Sequence, residues 1–217
     1  MGVYPDMESV SSALMFLDDY ERYLDLTKNE DAVLKTFVSV FPLTEIISQD
    51  DFASQYWRFA QTLVDLSSQT HPWDPKASHL PTDKSFELSL GGRAVFTTTL
   101  NHHSPRMARK FLYPTWVMNQ TSQFDALRDR NDFARWQENI RAKDAAIDPS
   151  GLPNPILEDH GYASAAAQLP GSAVLPCPLV VPVTTDAIEV AGTQLVARAN
   201  EEGMPEDLLA ELIARCR

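Results

Sequence analysis

Two glycines set the frame of this chain. Gly91 and Gly92 stand between Phe86–Leu90 and Ala94–Leu100, two runs that alternate apolar with polar residues. A glycine pair accepts the positive φ angles of a tight primed turn, so the segment predicts an antiparallel hairpin. A further strand-like run follows at Tyr113 to Met118, and Lys35 to Pro42 alternates in the same way before proline stops it.

Helical periodicity surrounds these strands. Val10, Leu14, Leu17, Tyr20 and Leu24 recur at spacings of three and four within Met7–Leu26, which predicts an amphipathic helix. A second helix is expected with Asp50 or Asp51 as its cap and Phe52, Tyr56, Phe59 and Leu63 as its stripe. Thr70 to Lys84 holds Pro72, Pro75 and Pro81 and reads as an ordered loop or lid. Two short helices follow the third strand, one capped by Ser122 and carrying Phe124 and Leu127, the other capped by Asn131 or Asp132 and carrying Phe133, Trp136 and Ile140. Asp148 to Pro182 is expected to be irregular apart from a short helix over Ala163–Gln168. A last helix opens at Pro205, with Glu206 and Asp207 in its first turn and Leu208, Leu209, Leu212 and Ile213 inward. The mixture reads as one α+β domain over residues 1–217, an antiparallel sheet with flanking helices. Trp57, Trp73 and Trp116 read as core.

Charge limits the partners. With 18 basic against 30 acidic residues the net charge is −12, which argues against a nucleic-acid backbone or an anionic membrane. A cationic or zwitterionic substrate is easier to accommodate. No run approaches the roughly 18 to 20 apolar residues of a membrane span, and the N-terminus lacks the basic and apolar regions of a signal peptide, so a cytoplasmic location is expected. Cys177 and Cys216 are too few for a disulfide framework or a four-cysteine zinc site.

The chemistry concentrates at the end of the second hairpin strand. His102 and His103 follow the β-branched run, with Arg106 and Arg109 one turn apart behind them. Neutral imidazole is a good ligand for iron, copper or zinc, and paired guanidinium groups hold carboxylates. A histidine in such a chain is more often a surface or hydrogen-bonded core residue than a ligand. Neighbours on a strand point to opposite faces, so at most one of the two is expected to face a given pocket.

Beyond these residues, the ordered words Tyr56-Trp57-Arg58-Phe59-Ala60-Gln61-Thr62-Leu63, His71-Pro72-Trp73, Leu80-Pro81-Thr82-Asp83 and Phe86 to Gly92 resemble those of the YqcI/YcgG family. His103-Ser-Pro-Arg106-Met-Ala-Arg109 resembles that family's His-x-x-Arg-x-Ser/Ala-Arg, and Gln123 to Arg128, Asn154 to Gly161 and Cys177-Pro178 are also similar. The likeness covers roughly residues 35 to 180. Characterised members are haem-dependent N-hydroxylases acting on a guanidino nitrogen of arginine or an arginine-derived amino acid in natural-product biosynthesis. The resemblance therefore implies a monooxygenase using haem b, dioxygen, an electron donor and an amino acid or amine substrate, and a homodimer is compatible with it. It implies His103 as axial ligand, with His102 second and Cys177 the thiolate alternative. Cys177 is otherwise a small buried hydrophobe. Arg106 and Arg109 are candidates for haem propionates or a substrate carboxylate, against a solvated helix face. Asp83 and Glu87 are candidates for a substrate cation, and Gln61 for the pocket wall. For these the plain alternatives are a half-buried strand's solvent face and an exposed helix flank. A non-catalytic haem- or metabolite-binding protein of the same fold is the alternative function.

Overall fold

In the computed structural model, which describes residues 1–28, 35–83, 85–147 and 177–217, five strands form one sheet in the order β1-β2-β5-β4-β3. The strands are β1 (Gly2–Val3), β2 (Phe37–Val40), β3 (Leu88–Leu90), β4 (Arg93–Leu100) and β5 (Thr115–Gln120). All neighbours are antiparallel except β1 and β2, which run parallel. The hairpin forms as the glycine pair predicts. Leu90 pairs with Arg93, and Gly91 and Gly92 take φ of 60° and 73°. A Cβ on Gly91 would also come within 2.5 Å of the Leu24 side chain.

One face of the sheet carries α1 (Val10–Thr27) and α2 (Gln49–Ser68). The predicted stripes of both helices are buried. Phe37 and Ser39 on β2 and Trp116 and Met118 on β5 meet them, with Tyr56 and Trp116 ring centroids 4.4 Å apart and Phe16 at 5.9 Å from Trp116. The cap of α2 is Ser48, which accepts the Asp51 N–H at 3.0 Å. Asp50 and Asp51 instead occupy the first turn, where carboxylates favour the positive end of the helix dipole.

The other face is reached by Phe96, which packs on Phe124 at 5.6 Å. Phe124 belongs to α3 (Thr121–Asp129), and its contact with Trp136 at 5.4 Å brings in α4 (Phe133–Ile147). Ser122 lies inside α3, after a start at Gln120 with no side-chain cap. Asn131, at φ 58°, lies in the turn between the two helices.

Two C-terminal helices close the outer side of α1 and α2. The sequence reading expects one of them, α6 (Glu206–Arg215), of whose inward leucines Leu212 is fully buried. The other, α5 (Thr185–Glu201), is not among the predicted elements; it is capped by Thr184 and packs on α2, with Leu195 and Ala199 buried. Its Gly192 sits where a Cβ would meet the Gln69 amide at 2.7 Å. The expected helix at Ala163–Gln168 lies outside the described residues. None of the described helices is long and apolar enough to cross a membrane.

Candidate functional site

Residues 101–114 turn back from β4 toward β5, and Asn101 organises that turn. Only 1% exposed, its side-chain oxygen accepts the His103 N–H at 2.8 Å and its amide donates to Gln49 at 3.0 Å. Its backbone N–H donates to Arg109 at 3.1 Å, and its carbonyl accepts from Phe111 at 3.3 Å. An Asn that captures the N–H two residues on makes an Asx turn, which takes the chain out of extended geometry.

The turn fixes the second histidine. His103 Nε2 lies 2.9 Å from the Ile46 carbonyl. A carbonyl only accepts, so Nε2 carries the proton and, in the neutral ring, Nδ1 holds the lone pair. Metal-binding imidazoles are commonly held this way, with one N–H on a carbonyl and the other nitrogen left for the metal. The His102 ring lies 4.1 Å from that of His103. The strand rule that would separate them does not apply, because both lie beyond Leu100, the last residue of β4.

Arg106 departs from its expected role. Its side chain is 1% exposed, and Nη2 stands 2.6 Å from Asp144 Oδ2 on α4. It serves as a buried clasp between the turn and α4 rather than a surface fork for a propionate. Arg109, in the 3-10 turn Met107–Arg109, is drawn down to a pKa of about 10 by burial and by the charge of Arg106, and stays cationic at neutral pH.

The remaining candidates lie elsewhere. Gln61 is twelve residues along α2 from Gln49, about 18 Å at the helical rise. It cannot line a pocket at His103. Its amide instead donates to Asp65 and to the Val180 carbonyl, both at 2.8 Å, and its oxygen accepts the Val180 N–H at 2.9 Å. Glu87 precedes Leu88, which pairs with Val95, and about 16 Å of strand separates Val95 from Leu100. Its carboxylate accepts from Thr121 at 2.5 Å, and burial raises its pKa. It borders a cleft of about 410 Å³ with Arg93, Asp125 and Arg128. Asp83 is exposed, and its carboxylate is held below the usual range by the Ser85 N–H and hydroxyl at 2.9 and 2.8 Å.

Of the three expected iron ligands, His103, His102 and Cys177, the first and last differ in their donor chemistry. Cys177 packs against the core, and burial pushes its thiol up to about 11, so without a metal it is protonated at neutral pH. His103 is exposed, and with its Nε2–H on the Ile46 carbonyl the nitrogen it leaves open to an iron is Nδ1. The two loops joined by this contact also carry Leu43, Ile47, Met107, Phe111 and Leu112, all exposed. Sequence inspection missed Asn101, Gln49 and Asp144. The Asn-x-His spacing was the available signal for the first; no local signal pointed to the other two.

A search of curated proteins found no match, and neither did a search of solved structures. A model of the YqcI/YcgG family matches residues 1–176, reaching further toward the N-terminus than the words that carried the resemblance. With 176 of its 217 residues so matched, the chain belongs to the YqcI/YcgG family.

Proposed function

We propose that this protein is a haem-dependent oxygenase that hydroxylates a nitrogen of arginine or a related amino acid or amine, with His103 as the residue that would hold the iron. The observation that carries the reading is the His103 ring: its Nε2–H is held by the Ile46 carbonyl, and membership of this family gives such a ring a reason to be held. Haem, when bound, supplies an iron centre at which dioxygen is activated with electrons from an external donor. The overall reaction places one oxygen atom on the substrate nitrogen and releases the other as water, consuming two electrons and two protons.

The chain's own residues orient and hold. Asn101 fixes the backbone at His103, and the Ile46 carbonyl fixes the tautomer and ring angle. A carbonyl on the N–H also raises the basicity of the opposite nitrogen, which strengthens a metal bond. Asp144 and Arg106 tie α4 to the same turn. The −12 charge favours approach of a cationic substrate over an anionic one.

The test is a panel of arginine, its homologues, other amino acids and simple amines, incubated with haem-loaded protein, dioxygen and a reductant. The expected product is one oxygen atom heavier by mass spectrometry. Haem that binds without turnover of any nitrogen substrate would support the non-catalytic binding protein instead.

A further inference from the structure

The far end of α2 carries a second cleft, of about 470 Å³, between α2 and α5. Its walls have different origins: Arg58, Gln61, Thr62 and Asp65 lie within the family match, whereas Arg198 and Glu202 come from the C-terminal helices beyond it. Along α2 these residues follow the spacing i, i+3, i+4, i+7, which aligns them on one face. Arg58 and Asp65 therefore stand about 10 Å apart along the axis, a cation at one end and a carboxylate at the other.

The Asp65 carboxylate has no direct ion pair, although the Arg198 charge across the cleft acts on it. Among the described residues no lysine, arginine or histidine forms an ion pair with Asp65, whose carboxylate accepts the Gln61 amide at 2.8 Å. The nearby Arg198 is committed elsewhere, to Glu202 at 2.7 Å, to the Thr62 hydroxyl at 3.0 Å and to the Glu8 carbonyl. Burial raises the Asp65 pKa to about 6 against the opposing effects of the Gln61 hydrogen bond and the Arg198 charge, so at neutral pH it is mostly charged at a cost. Arg58 is weakly held, facing Glu8 at 3.8 Å with both side chains about two-thirds exposed, at 65% and 67%. A half-buried carboxylate with no cation in direct contact and an exposed guanidinium whose carboxylate neighbour, Glu8, stands 3.8 Å away, on one stripe of one cavity, are complementary to a single extended ligand.

We infer that this cleft binds a small zwitterion, its ammonium or guanidinium end on Asp65 and its carboxylate end on Arg58. The site goes beyond the reaction proposed for the histidine turn and stands at the opposite end of α2. Gln61 would hold the Asp65 carboxylate in place while pinning Val180, so the amide links the ligand site to the segment that enters α5.

The probe is 6-aminohexanoate, whose two charges are separated by five methylenes, titrated calorimetrically into the full chain with hexylamine and hexanoate as single-charge controls. Saturable binding of 6-aminohexanoate is expected, about tenfold or more weaker for either control and for Asp65→Asn, the loss typical of one charge-assisted hydrogen bond. Arg58→Gln, at an exposed position, should weaken 6-aminohexanoate similarly while leaving hexylamine unchanged. His103→Ala should bind the probe as the wild type does, which keeps this site separable from the haem reading. Unchanged affinity in folded Asp65→Asn and Arg58→Gln, the absence of saturable binding, or loss of binding in His103→Ala alone would each overturn the proposal.

Discussion

Replacing Asp144 by alanine tests whether the turn that carries His103 is fastened by a buried charge. Arg106 is 1% exposed, and its guanidinium meets the Asp144 carboxylate at 2.6 Å. Removing one member of such a pair typically costs roughly 3 to 5 kcal/mol, because the remaining charge stays desolvated. Asp144 itself is 16% exposed, so some water reaches the clasp and the expected loss is about 3 kcal/mol. In a chain of this length that corresponds to a fall in melting temperature of roughly 6 to 12 °C. Urea unfolding followed by circular dichroism should show a lower midpoint with an unchanged slope. Hydrogen exchange should be faster in α4, which buries no residue of its own and is held by this pair and the Trp136 contact. The double variant Arg106→Met, Asp144→Ala should recover at least half of the lost stability, since it removes the buried guanidinium together with its carboxylate. An Asp144→Ala loss under about 0.5 kcal/mol would show the pair behaving like an exposed one and refute the reasoning.

Three further outcomes follow from local geometry. Asp65 has a folded pKa of about 6 against an ordinary 3.8, so its ionised form weakens the fold and the deficit is full above pH 6. Asp65→Asn should accordingly be more stable than wild type by about 2 to 3 kcal/mol at pH 7.5, the difference shrinking as pH falls through 6 and vanishing near 4; a difference independent of pH would contradict this. Gly91→Ala forces a side chain into φ 60° and to within 2.5 Å of Leu24, so it should cost more than about 1 kcal/mol by thermal denaturation, and a neutral result would mean the hairpin turn differs from the one described. Cys177, with its thiol raised to about 11, should react with iodoacetamide at pH 7.5 more slowly than free cysteine, and a faster reaction would show a thiolate instead.

The legible parts of this fold are those with a short repeat or a required conformation. The stripe of α1, the stripe of α2 and the Gly91-Gly92 turn were readable because period and positive φ are local properties. The helix α5 was not, since Gly192 and several β-branched residues dilute its pattern and its burial depends on α2. The same division runs through the site. The histidine turn was visible, but the burial of Arg106 depends on Asp144, 38 positions away. Gln61 shares an amphipathic helix with Gln49, yet helical rise places them about 18 Å apart, which sequence proximity hides.

The central claim is that His103 holds haem iron, and the absorption spectrum of protein expressed with a haem precursor tests it most directly. Wild type should show a Soret band and a ferrous-CO spectrum of histidine-ligated haem. His103→Ala should lose that band or shift it toward a weakly held high-spin form while its far-ultraviolet circular dichroism stays native. His102→Ala should retain most of the haem, and Cys177→Ala should leave the spectrum unchanged. A normal ferrous-CO spectrum in His103→Ala, or a wild-type band at the position of thiolate-ligated haem, would contradict the account.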